Sequence, residues 1–147
     1  MPIRCEIVSQ DRMVWEGDAD IVLLPGVEGE MGVLPNHAPL LTTLNFGILT
    51  VRTSGKEEIF TISGGIAEIQ PKIVTVLADV AENVEEIDIN RAQAARDRAQ
   101  KLLEEGVKES QDSMMAIEAA LRRSNLRLSA VRRFRKDRRD MPPQQLN

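Results

Sequence analysis

The sequence is poor in the residues from which most catalytic and nucleic-acid-binding sites are built. It has one histidine, His37, and one cysteine, Cys5. A lone thiol excludes an intramolecular disulfide, and without a Cys/His cluster there is no zinc-ligand spacing; both fit a reducing compartment and no metal site is expected. Four aromatics, Trp15, Phe46, Phe60 and Phe134, and no tyrosine leave little to stack on bases or sugar rings. No GxxxxGK[ST], GxSxG, HExxH or GxGxxG occurs, so no catalytic residue is assigned. No apolar run approaches the ~18 residues of a membrane span, and the first residues show no basic segment leading into an apolar one. Membrane association is therefore expected only through a partner.

What the chain does have is enough apolar material for a core, 42% of 147 residues, in one domain or two small ones. Its net charge of -4 gives no overall attraction to nucleic acid or anionic lipid. The charge is uneven, however. Residues 120–140 hold nine basic side chains against two acids, a net +7, which leaves -11 for the first 119 residues.

Two hydrophobic periods divide the chain. Up to about residue 80 the pattern alternates with period 2, as in Ile3, Cys5 and Ile7, which predicts strands. Further β-rich runs at Met13–Glu16, Ile21–Leu24, Glu58–Ser63 and Ile73–Ala78 are separated by turn chemistry at Pro25-Gly26, Gly29, Ser54-Gly55, Gly64-Gly65 and Pro71-Lys72. Short strands at this spacing predict an all-β sandwich or flattened antiparallel barrel. One apolar face per strand places Trp15, Ile21, Leu23, Leu49, Val51, Ile62 and Val76 inside. After Glu86 the period becomes helical. Asp88 is a suitable N-cap, Ala92, Ala95, Ala99, Leu102 and Leu103 form one stripe, and Gly106 is a stop. A second stripe, Met114, Ile117, Leu121, Ser124, Leu128 and Val131, predicts a second helix from about Asp112 to Lys136. The two make an antiparallel α-helical hairpin. Its contact stripe is rich in Ala and Ser, buries little area and is expected to hold the hairpin weakly. Met141-Pro142-Pro143 ends helix formation. The boundaries read 1–84 for the β unit, 85–140 for the hairpin and 141–147 for a frayed tail.

Two constellations stand out. Gly29 to Leu41 reads as a loop with apolar residues where a solvated turn would be polar, and it contains Glu30 and His37; a partner surface would explain it, although a histidine in such a loop is as readily a locally bonded one. At the start of the first helix, Asp88 and Arg91 stand at i, i+3 and Arg98 seven further on, while Arg123 and Arg127 stand at i, i+4 on the second helix. If those faces meet in the hairpin, four guanidiniums converge and call for an anion. The plainer alternative is that Asp88 caps the helix and pairs with Arg91 while the other arginines are solvated. The +7 stretch is open to the same choice between a docking surface and a solvated face.

The string Gly29, Glu30, Gly32, Pro35, His37, Ala38, Pro39, Leu40, Leu41, Thr42, followed by Ile87, Asp88, Arg91 and Ala92, resembles that of the epsilon subunits of bacterial-type rotary (F-type) ATP synthases, and the resemblance runs over nearly the whole chain. It implies a non-catalytic rotor subunit of the central stalk, coupling proton transport to ATP synthesis, held peripherally at the cytoplasmic face of the plasma membrane through its complex. The implied partners are the gamma subunit, the c ring and the alpha/beta catalytic head. Glu30 and His37 match the loop that meets gamma and the ring. The hairpin is implied to inhibit ATP hydrolysis when extended, with Arg122, Arg132, Arg133 and Arg135 as candidates for the contact with the beta subunits. No obligatory cofactor is implied. ATP is a possible regulatory ligand, through the Ile87-Asp88-x-x-Arg91-Ala92 motif with Glu82, Arg98, Arg123 and Arg127 matching the further ligands. The competing reading, a basic-tailed nucleic-acid-binding module, leaves the apolar loop unexplained and offers almost no aromatics.

Overall fold

In the computed structural model, which describes residues 1–106 and 110–135, β1 (Ile3–Val8) turns Ile3, Cys5 and Ile7 inward with no solvent exposure, as the alternation predicts. Burial pushes the Cys5 thiol pKa up to about 12, with Glu6 adding to the rise and Arg4 opposing it. The chain divides into two compact units, Met1–Asn83 and Val84–Asn147.

The first unit is a β-sandwich built from one eight-stranded sheet. After β1 come β2 (Met13–Ala19), β3 (Ile21–Gly26), β4 (Gly29–Val33), β5 (Leu40–Thr53), β6 (Lys56–Ile69), β7 (Ile73–Ala78) and β8 (Ala81–Asn83). Their order is β2-β1-β7-β6-β5-β3-β4, with β8 paired to β6. The architecture agrees with the sequence reading, but not every pair is antiparallel: β1 runs parallel to β7, with Cys5 abreast of Val74 and Ile7 of Val76. The core joins both layers through Ile3, Ile7, Leu24, Leu49, Phe60, Ile62 and Val74.

Three expectations are corrected. Gly64-Gly65 is no turn but lies inside β6, at positive φ of 84° and 132°. There β6 changes partner, pairing with β8 from Phe60 to Ile62 and with β7 from Gly65 to Ile69. A Cβ on Gly65 would sit 2.3 Å from the Leu77 carbonyl oxygen, so only glycine permits the kink. Pro25-Gly26 likewise belongs to β3, and Gly29–Val33 is a strand rather than part of a loop. Third, β3 buries Val22 and Leu24, while Ile21 and Leu23 are half-buried on its other face, 3.5 Å from the space a Cβ on Gly32 would take. Of the predicted core, Leu49, Val51, Ile62 and Val76 are fully buried. Trp15 is half-buried, its ring 6.2 Å from that of Phe60.

The second unit opens with a 3₁₀ turn, Val84–Glu86, followed by α1 (Ile89–Glu104) and α2 (Gln111–Ala130). Asp88 caps α1 and Gly106, at φ 66°, ends it by donating to the Leu103 carbonyl. Ser110 caps α2 through the N–H of Ser113. The helices meet over small side chains, with Ala92, Ala99, Ser124 and Ala130 buried, and the Ser124 hydroxyl is satisfied by the Ala120 carbonyl. α2 does not continue as α-helix to Lys136: a π turn, Val131–Arg135, follows Ala130. Lys136, the Met141-Pro142-Pro143 stop, the 141–147 tail and residues 107–109 of the connection lie outside the described residues. None of the described helices is long and apolar enough to cross a membrane.

Candidate functional site

On the sandwich, register alignment assembles an outward-facing apolar row. Thr43 of β5 stands opposite Ile66 of β6, Ile66 opposite Leu77 of β7, and Leu77 abreast of Val8 of β1. Because side chains abreast in a ladder share one face, Ile66 and Leu77, 40% and 47% exposed, form a contiguous apolar pair where solvated strands would carry polar residues. Leu34, Leu40 and Leu41 are exposed as well, in and beside the turn between β4 and β5. The sequence reading missed Ile66 and Leu77. The available signal was an apolar residue at an outward position of an alternating strand.

Glu30 is exposed in the β3–β4 hairpin, opposite Pro25. His37 closes a turn in which its N–H donates to the Leu34 carbonyl, while Asn36, at φ 68°, donates its N–H to the Pro71 carbonyl. The His37 Nδ1 lies 2.7 Å from the Ala38 carbonyl oxygen, a contact that requires the proton on Nδ1. This ties the imidazole to its own turn and fixes its Nε2 as the acceptor of the neutral ring. Glu82 is half-buried in β8, abreast of Thr61.

In the hairpin, the Asp88 carboxylate accepts the Arg91 backbone N–H at 3.1 Å. The capping half of the plainer alternative is thus present and the side-chain ion pair is not: among the described residues the exposed Arg91 guanidinium has no acidic partner. Arg91, Ala95, Arg98 and Leu102, spaced by four, three and four, lie on one flank of α1. Arg98, Ala95 and Leu102 border a recess of about 300 Å³ whose α2 side is Ala116, Ile117 and Ala120. Continuing the Ala116–Ala120 row by three and four residues gives Arg123 and Arg127. Since the helices are antiparallel, that row runs back toward the Arg91 end of α1. The structure therefore brings Arg91, Arg98, Arg123 and Arg127 to one flank of the hairpin. Arg123 Nε is buried and has no hydrogen-bond partner among the described residues, a costly state for a cationic donor unless something else supplies an acceptor.

The remaining basic residues differ in their engagement. Arg122 is exposed on α2, Arg133 lies over the Phe134 ring at 5.1 Å, and Arg132 is exposed. Arg135 is bound internally, its Nη2 donating to the Val84 carbonyl at 2.6 Å and the Ile87 carbonyl at 2.7 Å. A contact 48 residues away in sequence leaves no local signal.

Two family models match this chain: the ATP synthase, Delta/Epsilon chain, beta-sandwich domain over residues 2–84 and the ATP synthase, Delta/Epsilon chain, long alpha-helix domain over residues 85–132. The ATP synthase epsilon chain of Herpetosiphon aurantiacus is 42% identical over 138 residues, covering 94% of this chain and 99% of that one. That of Pelotomaculum thermopropionicum is 50% identical over 100 residues, covering 68% and 75%. Among solved structures, a chain of the Euglena gracilis mitochondrial ATP synthase, in its OSCP/F1/c-ring assembly, gives a TM-score of 0.72 at 26% identity, covering 88% of this chain and 81% of that chain. A chain from the central stalk and c ring of the Tetrahymena thermophila enzyme shares the fold, with a TM-score of 0.56 at 12% identity, covering 89% and 97%.

Proposed function

The chain belongs to the ATP synthase delta/epsilon family, and from that premise we propose that it serves as the non-catalytic epsilon subunit of the central stalk of a bacterial-type enzyme. It couples proton transport to ATP synthesis and restrains ATP hydrolysis. The observation that carries the docking half is the outward row of Ile66 and Leu77 with the neighbouring exposed leucines. A free protein gains nothing from such a surface, and a rigid partner that covers it gains roughly 25 cal/mol for each Å² removed from water. That partner is the gamma subunit, with Glu30 and His37 turned toward the c ring. The chain is thereby held at the cytoplasmic face of the membrane.

The regulatory half belongs to the hairpin. Arg91, Arg98, Arg123 and Arg127 on one flank, the orphaned Arg123 Nε and the exposed Arg91 guanidinium suit a polyphosphate, and ATP is the ligand proposed. ATP bound to the folded hairpin shifts the balance away from an extended form by its differential affinity for the two. In the extended form Arg122, Arg132, Arg133 and Arg135 meet acidic residues of the beta subunits, and Arg135 must first leave the Val84 and Ile87 carbonyls.

Co-purification tests the docking half. The chain carrying Ile66→Asp and Leu77→Asp should fold as the wild type does, because both side chains already face solvent, yet fail to hold the gamma subunit. Undiminished gamma binding by that variant would remove the proposed surface.

A further inference from the structure

The flank of the hairpin opposite Arg91 and Arg98 carries a larger cleft, of about 680 Å³, between the first turns of α1 and the end of α2. Its volume lies within the roughly 300–1,000 Å³ of small-molecule sites. Three guanidiniums border it, Arg96 from α1 and Arg132 and Arg135 from the π turn, and among the described residues no acidic side chain lines it. Ser129 adds a hydroxyl, and Ile89 and Leu128 supply an apolar wall. On α1, Arg96 stands roughly 140° round the helix from Arg91 at 3.6 residues per turn, so the cleft is separate from the motif flank.

The three arginines differ in a way that suits binding. Arg135 is fixed: one nitrogen, Nη2, makes both carbonyl bonds, which leaves the Nε and Nη1 donors of a positioned guanidinium for another acceptor. Arg132 makes no ion pair or hydrogen bond among the described residues. Among the described residues Arg96 has only a long contact to its exposed neighbour Asp97, at 3.4 Å, which competes weakly. The π turn that follows Ala130 is a departure from α-helical geometry of a kind that recurs at functional sites; here it carries two of the three cations.

We propose that this cleft binds a di- or triphosphate, its phosphates on Arg96, Arg132 and Arg135 and any organic portion on Ile89 and Leu128. Three positive charges, of which only Arg96 has an acidic contact among the described residues, favour a multiply charged oxyanion over a single carboxylate, and the fork of each guanidinium matches phosphate oxygens. The inference is independent of ATP binding at the Asp88–Arg91 motif.

Calorimetric titration of the full chain with inorganic pyrophosphate tests it, in a background carrying Arg91→Ala and Arg98→Ala so that the motif flank is disabled. One saturable pyrophosphate site should remain. Arg96→Gln and Arg132→Gln, neither of which touches the Arg135 tether, should each weaken it by about tenfold or more. A nucleoside diphosphate binding more tightly than pyrophosphate would identify the ligand as a nucleotide using the apolar wall, and equal affinity would identify a free polyphosphate; both uphold the site. Absence of saturable pyrophosphate binding in that background overturns the proposal. So does binding that Arg96→Gln and Arg132→Gln leave unchanged, or a response to a glutamate-rich peptide with none to pyrophosphate.

Discussion

Asp88 and Arg91 meet through carboxylate and backbone, not through their charges: the Asp88 oxygen takes the Arg91 N–H at 3.1 Å and leaves the guanidinium exposed. One residue can thus cap a helix and present its neighbour's charge to a ligand. Substitutions separate the two roles. Asp88→Ala should cost about 1 kcal/mol of helix stability through loss of the cap, whereas Asp88→Asn keeps a good cap and removes only the charge. If ATP uses this site, Asp88→Asn should alter ATP affinity in calorimetry while the thermal melt stays put.

Arg123 makes a sharper case. Its buried Nε lacks an acceptor among the described residues, so Arg123→Met should leave the ligand-free hairpin as stable as before or more so, while ATP affinity falls by about tenfold or more. A melt lowered by several degrees together with unchanged ATP binding would show that the guanidinium serves the fold instead.

Gly65→Ala should be among the most damaging single changes in the sandwich. At φ 132°, with a Cβ 2.3 Å from the Leu77 oxygen and 2.8 Å from the Ala78 Cα, both the backbone and its neighbour would have to move, at about 3 kcal/mol or more. Denaturant unfolding of a fragment covering residues 1–84, which should fold cooperatively alone, measures this without interference from the hairpin.

Cys5 gives the β unit a pH limit. Its thiol pKa is about 12 in the folded chain against an ordinary value of 9.0. The unfolded chain therefore loses its proton first, and the stability tied to the neutral thiol is complete below pH 9 and is lost as pH rises toward 12. Cys5→Ala should remove this part of the alkaline decline. In the folded protein a thiol reagent should label Cys5 only as fast as the sandwich opens.

Much of this arrangement is legible in the sequence, and the failures have physical causes. Ile3, Cys5 and Ile7 alternate with polar residues, so the inward face of β1 follows from the pattern alone. Ile21 to Leu24 is apolar at every position, so alternation cannot choose a face, and the choice falls to packing across Gly32. Gly64-Gly65 has the composition of a turn, but the same freedom of φ also lets one long strand change partners. At the candidate sites, spacing finds Asp88, Arg91, Arg98, Arg123 and Arg127 because helical periodicity is local. The Arg135 tether and the cleft beside Arg96 depend on which ends of two helices meet, and no short window of sequence contains that.

Hydrolysis by the assembled enzyme tests the regulatory role most directly. The catalytic head reconstituted with wild-type chain should be compared, at low and at high ATP, with heads carrying a chain that lacks residues 109–147 or one with Arg122, Arg132, Arg133 and Arg135 changed to Glu. Both variants should hydrolyse ATP faster than wild type at low ATP, and the difference should shrink at high ATP as the nucleotide folds the wild-type hairpin back. Hydrolysis at the wild-type rate by both variants at both concentrations would contradict a regulatory hairpin and leave the basic end of α2 as a solvated face.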